Sequence, residues 1–419
     1  MSVNVDVDYT DGATWDAQMP ARTSWLRDHD PVYWSERSGV WVVTKYEDVA
    51  AISKNQEVFT SGEGVRPQRD IKIGLIDEHE PRHGQLRNLI NKGFTPRMVR
   101  TYEQYFSRIT TEVLDAVAPR GQCDFVNDIA VPLPLFMIAS MIGIRREDYD
   151  RFHHWSDRMI AADGNYDDPD ITASASAAFA EYSAYVTEII EARRRDPKDD
   201  LVSILVGAED RGDLAHFDRT DGIGGESEEQ LDLANTELLL LMVILMVAGN
   251  ETTRNGMSGG MQLLIENPAE YAKLVADPEL VPSAVEEMLR LVSPVLSFSR
   301  TVTRDTELRG RKIAAGQKVL MLYGAANRDP EVFDDPDVFR VERNPNHLAF
   351  GIGTHFCLGA NLARMEMRVL FDQLVRRFPD MTYAGEGPRF SPSALVRSCT
   401  EMTVCYAAAR PSTAAASPA

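Results

Sequence analysis

The chain has 419 residues, 44% hydrophobic and 26% charged, the composition of a globular protein with a large core and not of a disordered or fibrous one. Its 64 acids against 44 lysines and arginines leave a net charge of −20, which repels nucleic acid and anionic lipid and argues against either as a partner. The four cysteines, Cys123, Cys357, Cys399 and Cys405, show no CxxC spacing, so neither a zinc knuckle nor a disulfide framework is expected.

The opening stretch MSVNVDVDYTDGATWD carries acids where a secretory signal would carry basic residues and an apolar run, so a cytoplasmic protein is expected. Residues 1–19 and the small, polar tail 408–419 are expected to be flexible and outside the core, leaving 20–407 as a single domain. PVYW and GVWVVTKY, between Asp30 and Val58, predict short strands, the second opened by Gly39. From there to Asn267 the text predicts helices, broken by TSGEGVRPQRDIKIG, by GNYDDPD at 164–170, and by an acidic, Gly-rich insertion at about 208–230.

Within that helical half, Pro81 to Tyr102 holds Arg82, Arg87, Lys92, Arg97 and Arg100 without one acid. Such an island is either a solvated helix face or a site for an anion. LLLLMVILMVAG, Leu238 to Gly249, is too short for the roughly 20 residues of a membrane span and predicts a buried core helix, so no membrane association is expected. It runs into AGNETT, where an acid and two hydroxyls interrupt aliphatics. A glycine inside a helix costs about 1 kcal/mol against alanine, so it marks either room for a ligand or the helix end.

Glu287 and Arg290, in AVEEMLR, stand three apart and share a helix face. Alone, such a pair is a surface contact worth under about 1 kcal/mol. From Phe298 to Leu322 the text turns strand-like, with turns at Arg309-Gly310 and Ala315-Gly316. The expected class is therefore mainly α with a small β region.

FGIGTHFCLG, Phe350 to Gly359, sets one cysteine among three glycines. Leu358, Leu362, Met365 and Val369 then recur on one helical face, which puts Cys357 at or just before a helix N-terminus. Unpaired N–H groups and the positive dipole end there favour a thiolate. Gly351, Gly353 and Gly359 are expected to let the backbone pass something flat and close, and haem iron fits that description.

In this window the sequence resembles the cytochromes P-450, whose signature Phe-Gly-x-Gly-x-His-x-Cys-x-Gly is matched by Phe350, Gly351, Gly353, His355, Cys357 and Gly359. The resemblance extends from about residue 20 to 407 and is similar in kind to actinobacterial members. It implies the cytochrome P-450 fold, haem b as cofactor and Cys357 as the iron ligand. By the same resemblance, His83, Arg87, Arg300 and His355 hold the haem propionates, and Glu287, Arg290 and Arg343 form a structural triad. Glu251 and Thr252 serve oxygen activation, by proton relay and hydrogen bonding, beside a Gly249 that makes space for oxygen.

The resemblance also implies a substrate pocket lined by Ile244, Val247, Ala248, Val295, Leu296 and Val396, almost all aliphatic, so an apolar small molecule. Ile71, Ile73, Leu75 and Ile76 add apolar surface on a loop that Gly62, Gly64 and Gly74 could let open. The expected activity is a monooxygenase hydroxylating an apolar compound, with a lean to a steroid or terpenoid. Its electrons are expected from a separate ferredoxin and ferredoxin reductase, with Lys92, Arg97 and Arg100 as a docking face. A peroxide-driven peroxygenase and a non-catalytic haem-binding sensor remain as alternatives.

Overall fold

Strands Val32–Ser35 and Val40–Val43 form the first hairpin, its turn carried by Gly39 at φ 64°. β-Branched and aromatic side chains favour the pleat, and Trp34 opposes Trp41 across it with ring centroids 5.3 Å apart. This computed structural model describes residues 3–67, 74–94, 96–162, 165, 168–198, 200–210 and 237–408. The hairpin's second strand pairs in parallel with Lys318–Leu322, which pairs antiparallel with Ser297–Val302, and Phe59–Thr60 closes the sheet.

Side chains alternate across this sheet, as the two-residue period requires. Val32, Val43, Val319 and Met321 pack into one cluster, while Val40, Val42, Leu320 and Leu322 pack into another. Both faces are thus covered, which is why VLML, Val319 to Leu322, and VWVV, Val40 to Val43, read as unbroken apolar runs. The second cluster contains Tyr9, fully buried, with its N–H bonded to Ser38 Oγ at 2.8 Å. The expectation that residues 1–19 lie outside the core is therefore corrected: the second face needs a cover, and Tyr9 and Met19 help supply it.

Contacts group the chain into two compact units, one of Met1–Asp70, Glu103–Pro134 and Glu251–Ala419, the other of Ile71–Tyr102 and Leu135–Asn250. The first holds the sheets and, among its helices, Val281–Val292 packed on Ala360–Arg377. Strand Gln122–Asp124, in text expected to be helical, pairs with Thr403–Cys405 far along the chain, so no local signal announced it.

The second unit is helical. Tyr149–Ala161 packs on Pro169–Arg195, which packs on Leu201–Asp210, and the last meets Arg82–Asn91. Trp155 is buried against the rings of Tyr182 and Tyr185. Tyr182 donates its hydroxyl to the Met242 carbonyl at 2.9 Å, and burial raises its pKa. The break expected at 164–170 ends earlier, because Asp168 caps the next helix by accepting from the N–H groups of Asp170 and Ile171, with Pro169 at the first helical position. Of the insertion expected at 208–230, the residues beyond Asp210 lie outside the described residues.

The long helix Glu237–Glu266 begins in the second unit and ends in the first. Leu238, Leu239, Leu241, Met242 and Met246 are buried along it, as expected of a core helix. A different stretch, Phe125–Ile142, is long and apolar enough to cross a membrane, yet 72% of it is buried within the fold, as in a packed core helix.

Candidate active site

The Cys357 turn is built by backbone bonds. The Gly351 N–H donates to Leu348 O at 2.9 Å, the Phe356 N–H to Gly353 O at 3.0 Å, and the Cys357 N–H to Phe350 O at 2.9 Å. Gly351 and Gly353 take φ of 67° and 80°, conformations that other residues rarely adopt. A Cβ at Gly353 would also lie 2.8 Å from the carbonyl oxygen of Ser53. Two of the three glycines therefore have a reason in the turn's own geometry, beside the flat partner expected of them. Gly359 differs: its φ is −83°, open to any residue, and a Cβ there would have no heavy atom within 4 Å. Helix Ala360–Arg377 starts directly afterwards, so Cys357 lies just before its N-terminal dipole, with its side chain exposed.

Arg300 is buried on strand Ser297–Val302, its Nη1 donating to the Ser299 carbonyl at 2.8 Å. His355 Nε2 lies 3.1 Å from Ser61 Oγ. Val295 and Val396 form a β-bridge, and the Leu296 N–H donates to Leu395 O at 2.7 Å, so these three apolar residues meet although their segments are remote in the chain.

Glu287 and Arg290 are both 0% exposed and joined by two bonds, Nε to Oε2 at 2.7 Å and Nη2 to Oε1 at 2.8 Å. Arg343 brings its Nε to 3.2 Å from the same carboxylate. Arg290 Nη1 also donates to the carbonyls of Asn327 (2.8 Å) and Pro336 (2.6 Å), and Asn327 Oδ1 accepts the Leu348 N–H at 2.7 Å. The network thereby reaches the start of the cysteine turn. Asn327 was missed by the sequence reading, since no spacing rule links it to Arg290.

On the long helix, Ile244, Ala248 and Thr252 share a face. Ala248 is exposed and Ile244, Val247 and Thr252 are half-buried, while Glu251 is 1% exposed. Glu251 Oε1 accepts from Arg254 Nη2 at 2.7 Å and from Asn255 Nδ2 at 3.0 Å, and Asn255 Oδ1 accepts the Cys399 N–H at 2.8 Å. Arg254 and Asn255 were also missed, though their i+3 and i+4 spacing from Glu251 was the available signal. A Cβ at Gly249 would lie 2.4 Å from Ile138 Cδ1, so close packing is by itself a sufficient reason for a glycine there.

In the second unit His83 is buried, with Nδ1 3.1 Å from Glu80 Oε1, and Arg87 lies one turn further along helix Arg82–Asn91. Gly74, at φ 105°, packs beside Ile244, where a Cβ would lie 3.2 Å from Cδ1. Leu75 is buried and Ile76 half-buried, whereas Ile71 and Ile73 lie outside the described residues. Lys92 and Arg100 are exposed; the side chain of Arg97 lies outside the described residues.

An exposed cysteine on a hydrogen-bonded turn at a helix start is a donor suited to a metal group, and with the signature around it this is the arrangement the resemblance implies for a haem-thiolate oxidoreductase. Similarity to known proteins leads to the same place. The sequence profile of the Cytochrome P450 family matches residues 164–397. The steroid C26-monooxygenase of Mycolicibacterium smegmatis is 36% identical over 98% of this chain and 98% of its own. The methyl-branched lipid omega-hydroxylase of Mycobacterium tuberculosis is 38% identical over 84% of this chain and 81% of its own. Among solved structures, CYP109E1 from Bacillus megaterium in complex with testosterone superposes with a TM-score of 0.78 at 32% identity, covering 92% of this chain and 98% of that one. The chain belongs to the cytochrome P450 family; it is a haem-b-dependent monooxygenase that takes electrons from a redox partner.

Proposed function

We propose that this chain hydroxylates a steroid or terpenoid, with Cys357 as the iron ligand and electrons from a ferredoxin and its reductase. The observation that carries the substrate class is the aliphatic character of Ile244, Val247, Ala248, Val295, Leu296 and Val396, which offer no charge or hydrogen-bond donor to a polar substrate. The 36% identical steroid C26-monooxygenase and the testosterone complex of CYP109E1 support a polycyclic ligand. Titration of the haem-loaded protein with testosterone, a terpenoid and a branched fatty acid tests this. A low-to-high spin shift is expected with the first two, and a shift with the fatty acid alone would sink the substrate class.

Haem supplies the oxygen-activating iron, with the thiolate pushing electron density toward O–O cleavage. His83, Arg87, Arg300 and His355 are proposed to pair with its propionates, two carboxylates that need charge-assisted partners inside protein. Thr252 is proposed to donate a hydrogen bond from its hydroxyl, and Glu251 to deliver protons from a carboxylate steadied by Arg254 and Asn255. This acid and alcohol disfavour the peroxygenase and sensor alternatives, neither of which requires a proton relay. Lys92 and Arg100 are the exposed basic residues proposed to receive an acidic ferredoxin. In a system reconstituted with ferredoxin and its reductase, Thr252→Ala is expected to keep substrate binding while peroxide replaces most of the product, a coupling loss of about 10-fold or more. Unchanged coupling would remove Thr252 from this role, and reduction insensitive to ionic strength would remove the basic face.

A further inference from the structure

Glu286 sits beside Glu287 on helix Val281–Val292 but faces a different set of partners. Its carboxylate accepts a fork from Arg364, Nε to Oε1 at 2.8 Å and Nη2 to Oε2 at 2.9 Å, and its Oε2 lies 3.1 Å from His347 Nε2. His347 Nδ1 accepts the backbone N–H of Ala349 at 3.1 Å. Through its two ring nitrogens His347 therefore bridges the Glu286 carboxylate and the Ala349 backbone.

These three side chains reach both ends of the cysteine turn. His347 fixes Ala349 at its entry, and Arg364 comes from the helix at its exit. The Arg364 guanidinium also lies over the Phe350 ring, 4.5 Å from the centroid, and the Phe350 carbonyl accepts the Cys357 N–H. Burial would raise the Glu286 pKa, but the bonds from His347 and Arg364 prevail and bring it to about 2, so the carboxylate stays charged at any working pH.

We propose that Glu286, His347 and Arg364 are positioning residues that hold the Cys357 sulfur in the geometry of an iron-bound thiolate. The proposal rests on the reading of Cys357 as the haem ligand. Its test is the lifetime of the red-shifted Soret band of the reduced, carbon monoxide-bound protein. Glu286→Gln is expected to shorten that lifetime about tenfold, as the band moves to the position of haem without thiolate; tenfold in rate is about 1.4 kcal/mol. Arg364→Lys keeps the charge but loses the fork, and His347→Asn keeps an acceptor for Ala349 but loses the donor to Glu286; both are expected to shorten it several-fold. They also give a reading if Glu286→Gln does not load haem. Asp372→Asn removes an exposed pair with Arg376 on the same helix and is expected to leave the lifetime unchanged. Wild-type lifetimes in all three test variants would overturn the proposal even if their melting temperatures fell. Absence of the red-shifted band in the wild type would instead overturn the Cys357 reading, and the positioning role with it.

Discussion

Replacing Cys357 by serine is expected to erase the red-shifted carbon monoxide band and to bring product formation below about a hundredth of wild type. Even a residue one step removed from a metal costs roughly 10–100-fold when lost, so removal of the ligand itself exceeds that range. No other cysteine can stand in. Cys123 and Cys399 are buried, and burial pushes each thiol up to about 11, which leaves almost no thiolate at neutral pH. Cys405 is half-buried on a strand pairing with Gln122–Asp124. The spectrum of the reduced variant decides the matter: a surviving red-shifted band would mean that another residue holds the iron.

The second large effect is expected at Glu287. Its carboxylate and the Arg290 guanidinium are fully buried, and Arg343 brings a second positive charge to it. Glu287→Ala would leave the buried Arg290 guanidinium without its counter-charge, a loss of about 3–5 kcal/mol. Against a typical stability of roughly 5–15 kcal/mol, that is a large share of the whole margin. Since Arg290 also holds the Asn327 carbonyl, and Asn327 holds the Leu348 N–H, the damage is expected to reach the cysteine turn and reduce haem incorporation. Urea denaturation and haem content per chain measure both effects. A midpoint shift equivalent to under about 1 kcal/mol, the value of an exposed pair, would show that the triad carries no such weight.

What could be read from the amino acids alone was whatever is carried by neighbours in the chain. The cysteine signature, the Glu287–Arg290 spacing, the first hairpin and the apolar run of the long helix are local patterns, and each occupies the expected element. The turn glycines show a limit of that reading. Their positions were legible but their reasons were not, because positive φ at Gly351 and Gly353 and the approach of Ser53 are properties of the folded backbone. Tyr9 looked like part of a polar tail until the sheet face that needs it was in place. His347 and Arg364 lie 61 and 78 residues from Glu286, a distance no periodicity spans. Arg254 and Asn255 are the exception, local enough to have been found.

The adjacent acids of helix Val281–Val292 impose a further condition. Successive residues of an α-helix point about 100° apart, so Glu286 and Glu287 can serve separate networks only while the helix keeps its rotational phase. One residue inserted between Val281 and Val285 would turn both carboxylates together, carrying Glu287 away from Arg290's surroundings and Glu286 away from Arg364 and His347 in a single step. Substitutions here act on one network at a time, whereas a change of length acts on both. This short helix therefore works as a gauge of chain length, and insertions or deletions should be confined to the connections outside it.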